Sequence, residues 1–333
     1  MSIKRKDPKI RYWSPTGLES FFNCPRSWLL KKILKLKITT PPLAKGIFVH
    51  SAIDKLRTHH LRGKEFGTRR RWSSAESFGN VMANDWQRNV VRNGKIRGDT
   101  ILWVYDTQPY VIKKEIKTRC TSLYEALMKE EPPFLWEKKS TNFITPEHKK
   151  SKTAFDFEFI YNARGFRGEI DEIRPNRTIR DYKTGIWKFI ENKADFALQP
   201  TMYTLAFCWY CNKYDSFREA MGVSENEASN WAGNPEHINP DISFEYFMVD
   251  EKKEWDKELK EWVVVEAKPE IKTSRSDFHY KELCQKIDTA NVMLTRMLEQ
   301  SSFPAQRDSC FTCKFHKAYE EKCRELTEDL KEE

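Results

Sequence analysis

The 333-residue chain predicts an α/β fold, a mixed central sheet flanked by helices. Three observations predict it. From Ser14 to Pro133 apolar residues recur mostly at helical spacing. At Phe134 the period changes to β-rich, alternating runs. After Ala194 helical spacing returns, and the chain ends in a cysteine-rich segment.

Taken in order, residues 1–13 read as a basic arm. Ser14-Pro15-Thr16 opens a helix, because serine caps a free backbone N–H and proline suits the first turn. Leu18, Phe21 and Phe22 lie before Cys24-Pro25-Arg26, and Trp28, Leu29, Leu30 and Ile33 continue the apolar face. Pro41-Pro42 breaks the pattern. Ile47 to Leu56 reads as a second helix carrying His50. Residues 60–133 form a basic, mostly helical insertion, with helices over about 74–92 and 105–130. Within it, Arg69-Arg70-Arg71-Trp72 is a basic-aromatic patch that fits either a nucleic-acid strand or a solvated loop.

The segments FLWEK (134–138) and FDFEFIY (155–161) read as strands around a polar loop at 140–152. Two more strands follow in GEIDEIRPNRTIRDYKTG (168–185), so the sheet reads largely as a meander. Ala194 to Met221 reads as one long helix. Ile242–Val249 and Trp262–Glu266 are the last strands, and Ser276 to Gln300 is an amphipathic helix with Leu283, Ile287, Ala290, Leu294 and Leu298 on one face.

The bulk numbers narrow the function. Charged residues make up 32% and the net charge is +9, a balance that fits a polyanionic partner. No apolar run approaches the roughly 20 residues of a membrane span, and the first residues lack a signal-peptide core. These features predict a cytoplasmic protein. Its eight cysteines then stay reduced and serve as metal ligands or buried thiols.

The 168–185 stretch carries the chemistry. Side chains alternate along a strand, so Asp181 and Lys183 share one face and Tyr182 takes the other. With Asp171 they gather two acids and a lysine at the end of a hairpin, a set suited to a divalent cation beside a phosphate. A solvated, charged hairpin is the alternative. Glu169 alternates onto the Asp171 face as a surface or supporting acid. Gln199 and Tyr203, four apart, share one helix face.

In order the chain offers CPR at 24–26, GIFVH at 46–50, GEID at 168–171, DYKTG at 181–185, Gln199 with Tyr203, and Cys310, Cys313 and Cys323. That series resembles the RecB-like branch of the PD-(D/E)XK nuclease superfamily. It is most similar to the members that carry an iron-sulfur cluster, such as CRISPR-associated exonucleases and the nuclease domains of recombination helicase-nucleases. The resemblance implies a restriction-endonuclease-like fold, with residues 1–333 forming one nuclease domain, 60–133 inserted in it and 301–333 capping it. It implies Asp171 and Asp181 as metal-binding carboxylates for magnesium or manganese, His50 as a further ligand and the Tyr182 carbonyl completing the shell. Lys183 would orient the attacking water, and Gln199 with Tyr203 would hold the active site and the DNA backbone. It further implies single-stranded DNA ends as substrate in recombination, repair or phage and CRISPR DNA processing, with a helicase or other DNA-processing protein as partner. A catalytically inactive DNA-binding subunit is the alternative.

Cys310-x-x-Cys313 and Cys323 are three thiols, and Cys24 is the natural fourth. Four such ligands bind an iron-sulfur cluster or zinc. The resemblance favours a four-iron cluster; His316 could serve as a substitute ligand, and zinc is the alternative metal. The site would staple the first helix to the C-terminal end. Cys208 and Cys211 form a second C-x-x-C inside the apolar run LAFCWYC and read as core, as do Cys120 and Cys284.

Overall fold

The structure is a computed structural model that describes residues 11–32, 38–66, 72–101, 109–130, 155–174, 177–184, 187–233, 242–250, 252–256, 258–266, 270–300 and 302–303. Strand β1 (Tyr12–Trp13) replaces the end of the expected arm. It leads into helix α1 (Pro15–Asn23), whose cap is Ser14: the hydroxyl accepts from the Gly17 N–H at 3.1 Å. The single helix expected here is two. Cys24 precedes a proline, which disfavours helical backbone, and it is extended at φ −164° and ψ 100°. Helix α2 (Pro25–Lys32) restarts directly after it.

After β2 (Ile38–Thr39), helix α3 spans Pro41–Phe66. Pro41 and Pro42, expected to break a helix, begin one. The first turn needs no internal N–H, and the Thr40 carbonyl already accepts from the Ala44 N–H at 2.8 Å. Helix α4 (Ala75–Asp85) runs into a π-helical turn at Trp86–Val91, then strands β3 (Lys95–Ile96) and β4 (Asp99–Ile101), then helix α5 (Pro109–Leu127). Trp72 is buried and meets Phe78 edge-on at 4.8 Å, so it is a core residue and not a platform for bases. Arg69, Arg70 and Arg71 lie outside the described residues, as do the strand and loop expected at 134–152.

Strands β5 (Phe155–Tyr161), β6 (Arg164–Ile170), β7 (Glu172–Ile173) and β8 (Thr178–Lys183) follow. The long helix expected over Ala194–Met221 is cut at Ala197 and Tyr214, both extended: α6 (Trp187–Ala194) ends where it was expected to begin, α7 (Leu198–Lys213) and α8 (Asp215–Ala220) make up the rest, and α9 (Glu225–Gly233) lies beyond. Strands β9 (Ser243–Met248), β10 (Lys252–Asp256), β11 (Glu261–Glu266) and β12 (Glu270–Thr273) precede helix α10 (Asp277–Glu299).

The central sheet has the order β12-β9-β8-β7. Strand β9 returns parallel to β8 after the helical crossover α6–α9, while β12 and β7 are antiparallel to their neighbours. The sheet is therefore mixed and not largely a meander, because the helices between β8 and β9 are long enough to bring the chain back in the same direction. A second sheet, β5-β6-β1, carries β1 parallel to β6. Alternation along β8 and β9 divides the core. Ile179, Phe244 and Met248 face α1, α2, α7 and α10, whereas Tyr182, Phe247 and Val249 face α3, α4 and α5. Helix α7 is buried along almost its whole length, which accounts for the apolar run LAFCWYC and for Cys208 and Cys211 as buried thiols outside any disulfide. Among the described residues no helix is long and apolar enough to cross a membrane.

Candidate active site

Strand β6 ends at Ile170, and the chain bends at Asp171 before β7 begins. That bend turns the Asp171 carboxylate toward the end of β8, where its Oδ2 accepts the Tyr182 N–H at 2.9 Å. Helix α3 supplies His50, whose Nδ1 lies 3.3 Å from the same Asp171 oxygen. The approach of α3 depends on Gly46, one turn before His50. A Cβ there would sit 2.9 Å from Thr184 Oγ1, just past the end of β8.

On β8, Asp181 and Lys183 share a face as their spacing predicts, and Lys183 Nζ lies 2.7 Å from Asp181 Oδ2. Gln199, in the first turn of α7, fits between them. Its Oε1 accepts from Lys183 at 2.8 Å, and its Nε2 donates to Asp181 Oδ1 at 2.6 Å. Nε2 also lies 3.0 Å from the Tyr203 hydroxyl, which itself donates to the Glu169 carbonyl at 2.6 Å. A chain of polar contacts thus runs from the lysine through the helix and back to β6. Gly168 leaves room for it, since a Cβ there would meet the Phe157 ring at 2.6 Å and the Tyr203 ring at 3.4 Å. The structure brings His50, Asp171, Asp181, Lys183, Gln199 and Tyr203 into one neighbourhood. Tyr182 joins it through its backbone, while its side chain faces the other way.

The electrostatics follow from two acids at close quarters. Burial pushes the Asp181 carboxyl above the usual carboxylate range and the charge of Asp171 adds to this, against the opposing pull of Lys183. Burial acts on Asp171 in the same sense, but His50 and the Tyr182 N–H outweigh it and hold that carboxyl below its usual range. Burial would lower His50 and Lys183, and the carboxylates beside them raise both instead. Glu169 is raised by burial and by Asp156 and Asp171.

These groups open onto a cleft of about 310 Å³ whose walls include His50, Asp54, Arg57, Arg97, Glu169 and Lys183. Arg57 is the functional neighbour that sequence reading missed. It lies seven residues after His50, hence on the same helix face. Its guanidinium forks onto Glu172, with Nε 3.2 Å from Oε2 and Nη2 3.0 Å from Oε1, and it also donates to Glu130 at 2.8 Å and the Leu127 carbonyl at 2.9 Å. The Tyr182 hydroxyl bonds Glu172 too. Arg180 extends the network to Glu245, Glu130 and Glu270. Glu172 follows Asp171, and Tyr182 follows Asp181, so the network grips the residues next to both acids. The helical spacing from His50 was the available signal.

The donor set suits a hard cation: carboxylate oxygens and one imidazole. The side chains stand in pairs, His50 with Asp171 and Lys183 with Asp181, and among the described residues no group of three or more His, Cys, Asp or Glu is arranged around one point. The chemistry of Asp171 and Asp181 suits a metal, and they are the residues that would hold one.

Cys24 is buried at the start of α2, where its sulfur accepts from the Ser27 N–H at 3.4 Å. Cys310, Cys313, His316 and Cys323 lie outside the described residues. Of the four thiols expected to form the staple, only Cys24 is among the described residues.

The family model of the PD-(D/E)XK nuclease superfamily covers residues 12–318, which includes His50, Asp171, Asp181, Lys183, Gln199 and Tyr203. No curated protein and no solved structure matches the chain.

Proposed function

The chain belongs to the PD-(D/E)XK nuclease superfamily, and from that membership we propose that it hydrolyses phosphodiester bonds of DNA with Asp171, Asp181 and Lys183 as its catalytic centre. One observation carries the reading: Lys183, Asp181 and Gln199 form a closed triangle of contacts, and Lys183 lines the same cleft as Asp171 and His50. A solvated hairpin has no reason to bury two carboxylates and a lysine together, since each loses water by doing so.

Asp171 and Asp181, with His50 and the Tyr182 carbonyl, would hold magnesium or manganese. Such an ion, when bound, supplies charge for the transition state and an activated water. Lys183, kept protonated by Asp181, orients the attacking water and stabilises the phosphoryl oxygens as charge builds on them. Water attacks phosphorus, the bond to the leaving oxygen breaks, and that oxygen takes a proton. Gln199 fixes the lysine and Asp181 relative to each other.

The substrate reading is a single-stranded DNA end, supported by the resemblance to RecB-like exonucleases and by the net charge of +9. A four-iron cluster on Cys24, Cys310, Cys313 and Cys323, with zinc as the other candidate, is supported by one contact. Arg26 Nε donates to the Phe303 carbonyl at 3.0 Å, which ties the Cys24 turn to the chain just before the cysteine-rich segment.

The test is cleavage of end-labelled single- and double-stranded DNA in manganese by protein purified without oxygen. The parent cuts, and Asp181→Ala and Lys183→Ala do not; equal cutting by all three overturns the site. Visible absorbance that disappears in Cys313→Ser marks the cluster, and stoichiometric zinc without colour marks the alternative.

A further inference from the structure

We propose that Arg97 is a fixed phosphate-gripping arm, which holds a backbone phosphate of the nucleic-acid strand beside the one being cut. The inference deepens the nuclease reading and rests on it.

Among the cleft-lining residues the full-time cations are Arg57, Arg97 and Lys183. Two are committed. Arg57 is buried and forked onto Glu172, and Lys183 is held by Asp181 and Gln199. Arg97 is exposed and makes no hydrogen bond or ion pair among the described residues, although it lies close enough to Glu169 to favour that carboxylate's charge. A guanidinium with no bonded partner among the described residues, on the wall of a cleft that holds Asp171 and Lys183, is suited to take a phosphate, since its planar fork matches phosphate oxygens.

Its mounting is rigid. Arg97 and Gly98 form the two-residue loop between β3 and β4, with Ile96 paired to Asp99. Both have positive φ, 47° and 85°, the signature of a type I′ turn. Glycine, asparagine or aspartate normally takes the position Arg97 occupies, so an arginine there is strained, and such strain collects at functional sites. The hairpin is anchored behind the loop. Ile96 and Ile101 are buried in the core shared with α3, and β4 pairs parallel with β2, directly before the helix that carries His50. The arm and the catalytic helix therefore share one base, and the guanidinium is presented with little backbone freedom to lose.

The test uses Asp181→Asn protein, which binds without cutting, and a labelled single-stranded oligonucleotide in magnesium at several salt concentrations. Adding Arg97→Gly weakens binding about tenfold at low salt and lowers the slope of log affinity against log salt by about 0.7, the value of one phosphate contact on a single strand. Adding Arg97→Lys keeps the slope. Arg97→Gly also unfolds at a denaturant midpoint no lower than the parent's, because glycine relieves the left-handed strain. An unchanged slope in Arg97→Gly, with cutting by the parent intact, overturns the arm and leaves the nuclease standing. A parent that neither binds nor cuts overturns both.

Discussion

Arg57 forks onto Glu172 with neither side chain more than 1% exposed, and this pair joins the helix of His50 to the residue next to Asp171. Removing one partner of such a pair strands a buried charge, which costs roughly 3–5 kcal/mol. Arg57→Met is expected to lose stability in that range, measured by urea unfolding. Replacing both, with Arg57→Met and Glu172→Met together, recovers most of it, because no unpaired charge remains. If the single and double variants unfold at the same midpoint, the pair is not the unit that matters.

The 168–185 stretch was legible because strand alternation is local: Asp181 and Lys183 two apart must share a face, and the structure shows them 2.7 Å apart. The cap at Ser14 was legible for the same reason. The breaks were harder. Cys24 and Ala197 adopt extended backbone inside runs whose apolar pattern continues across them, so periodicity passed over both. Strand direction was hidden too, because β8 and β9 become parallel neighbours only through a crossover of about 60 residues. Arg57 and Arg180 look like surface residues in sequence, and their burial depends on Glu130, Glu172, Glu245 and Glu270 arriving from distant segments.

Gln199 contacts both Lys183 and Asp181, so its loss should damage catalysis more than folding. Gln199→Ala frees the lysine to swing, and misplacement of about 1 Å is enough to cost on the order of 100-fold in rate. The expected result is a fall of that size in kcat on a labelled oligonucleotide, with KM little changed and a melting temperature within a few degrees of the parent. Gln199→Glu places a third acid beside Asp181 and is expected to be worse. A Gln199→Ala enzyme with parental kcat shows that Lys183 and Asp181 keep their geometry unaided.

Burial raises the Asp181 carboxyl and the charge of Asp171 adds to it, and a cation held between the two acids would relieve that repulsion. Manganese or magnesium should therefore stabilise the folded protein, by about 2.7 kcal/mol at one hundred times its dissociation constant. Thermal melting of chelator-treated protein, titrated with either ion, reads this directly. Asp171→Asn and Asp181→Asn each remove most of the shift, whereas Asp288→Asn, whose carboxylate pairs with Arg164 on the protein surface, keeps it. An equal shift in all three variants places the ion elsewhere.

Gly46 and Thr184 make the sharpest packing prediction. Alanine in a helix interior normally gains close to 1 kcal/mol over glycine, yet at position 46 the added methyl would meet Thr184 Oγ1 at 2.9 Å. Gly46→Ala is expected to lose stability and to push α3, with His50, away from the end of β8, lowering both the melting temperature and the rate of cleavage. Thr184→Ala removes the obstructing oxygen. In that background the same Gly46→Ala change should stabilise, so the sign of its effect reverses and the coupling between the two sites is directly measurable. Identical effects of Gly46→Ala in both backgrounds mean that α3 is held off β8 by something other than this contact.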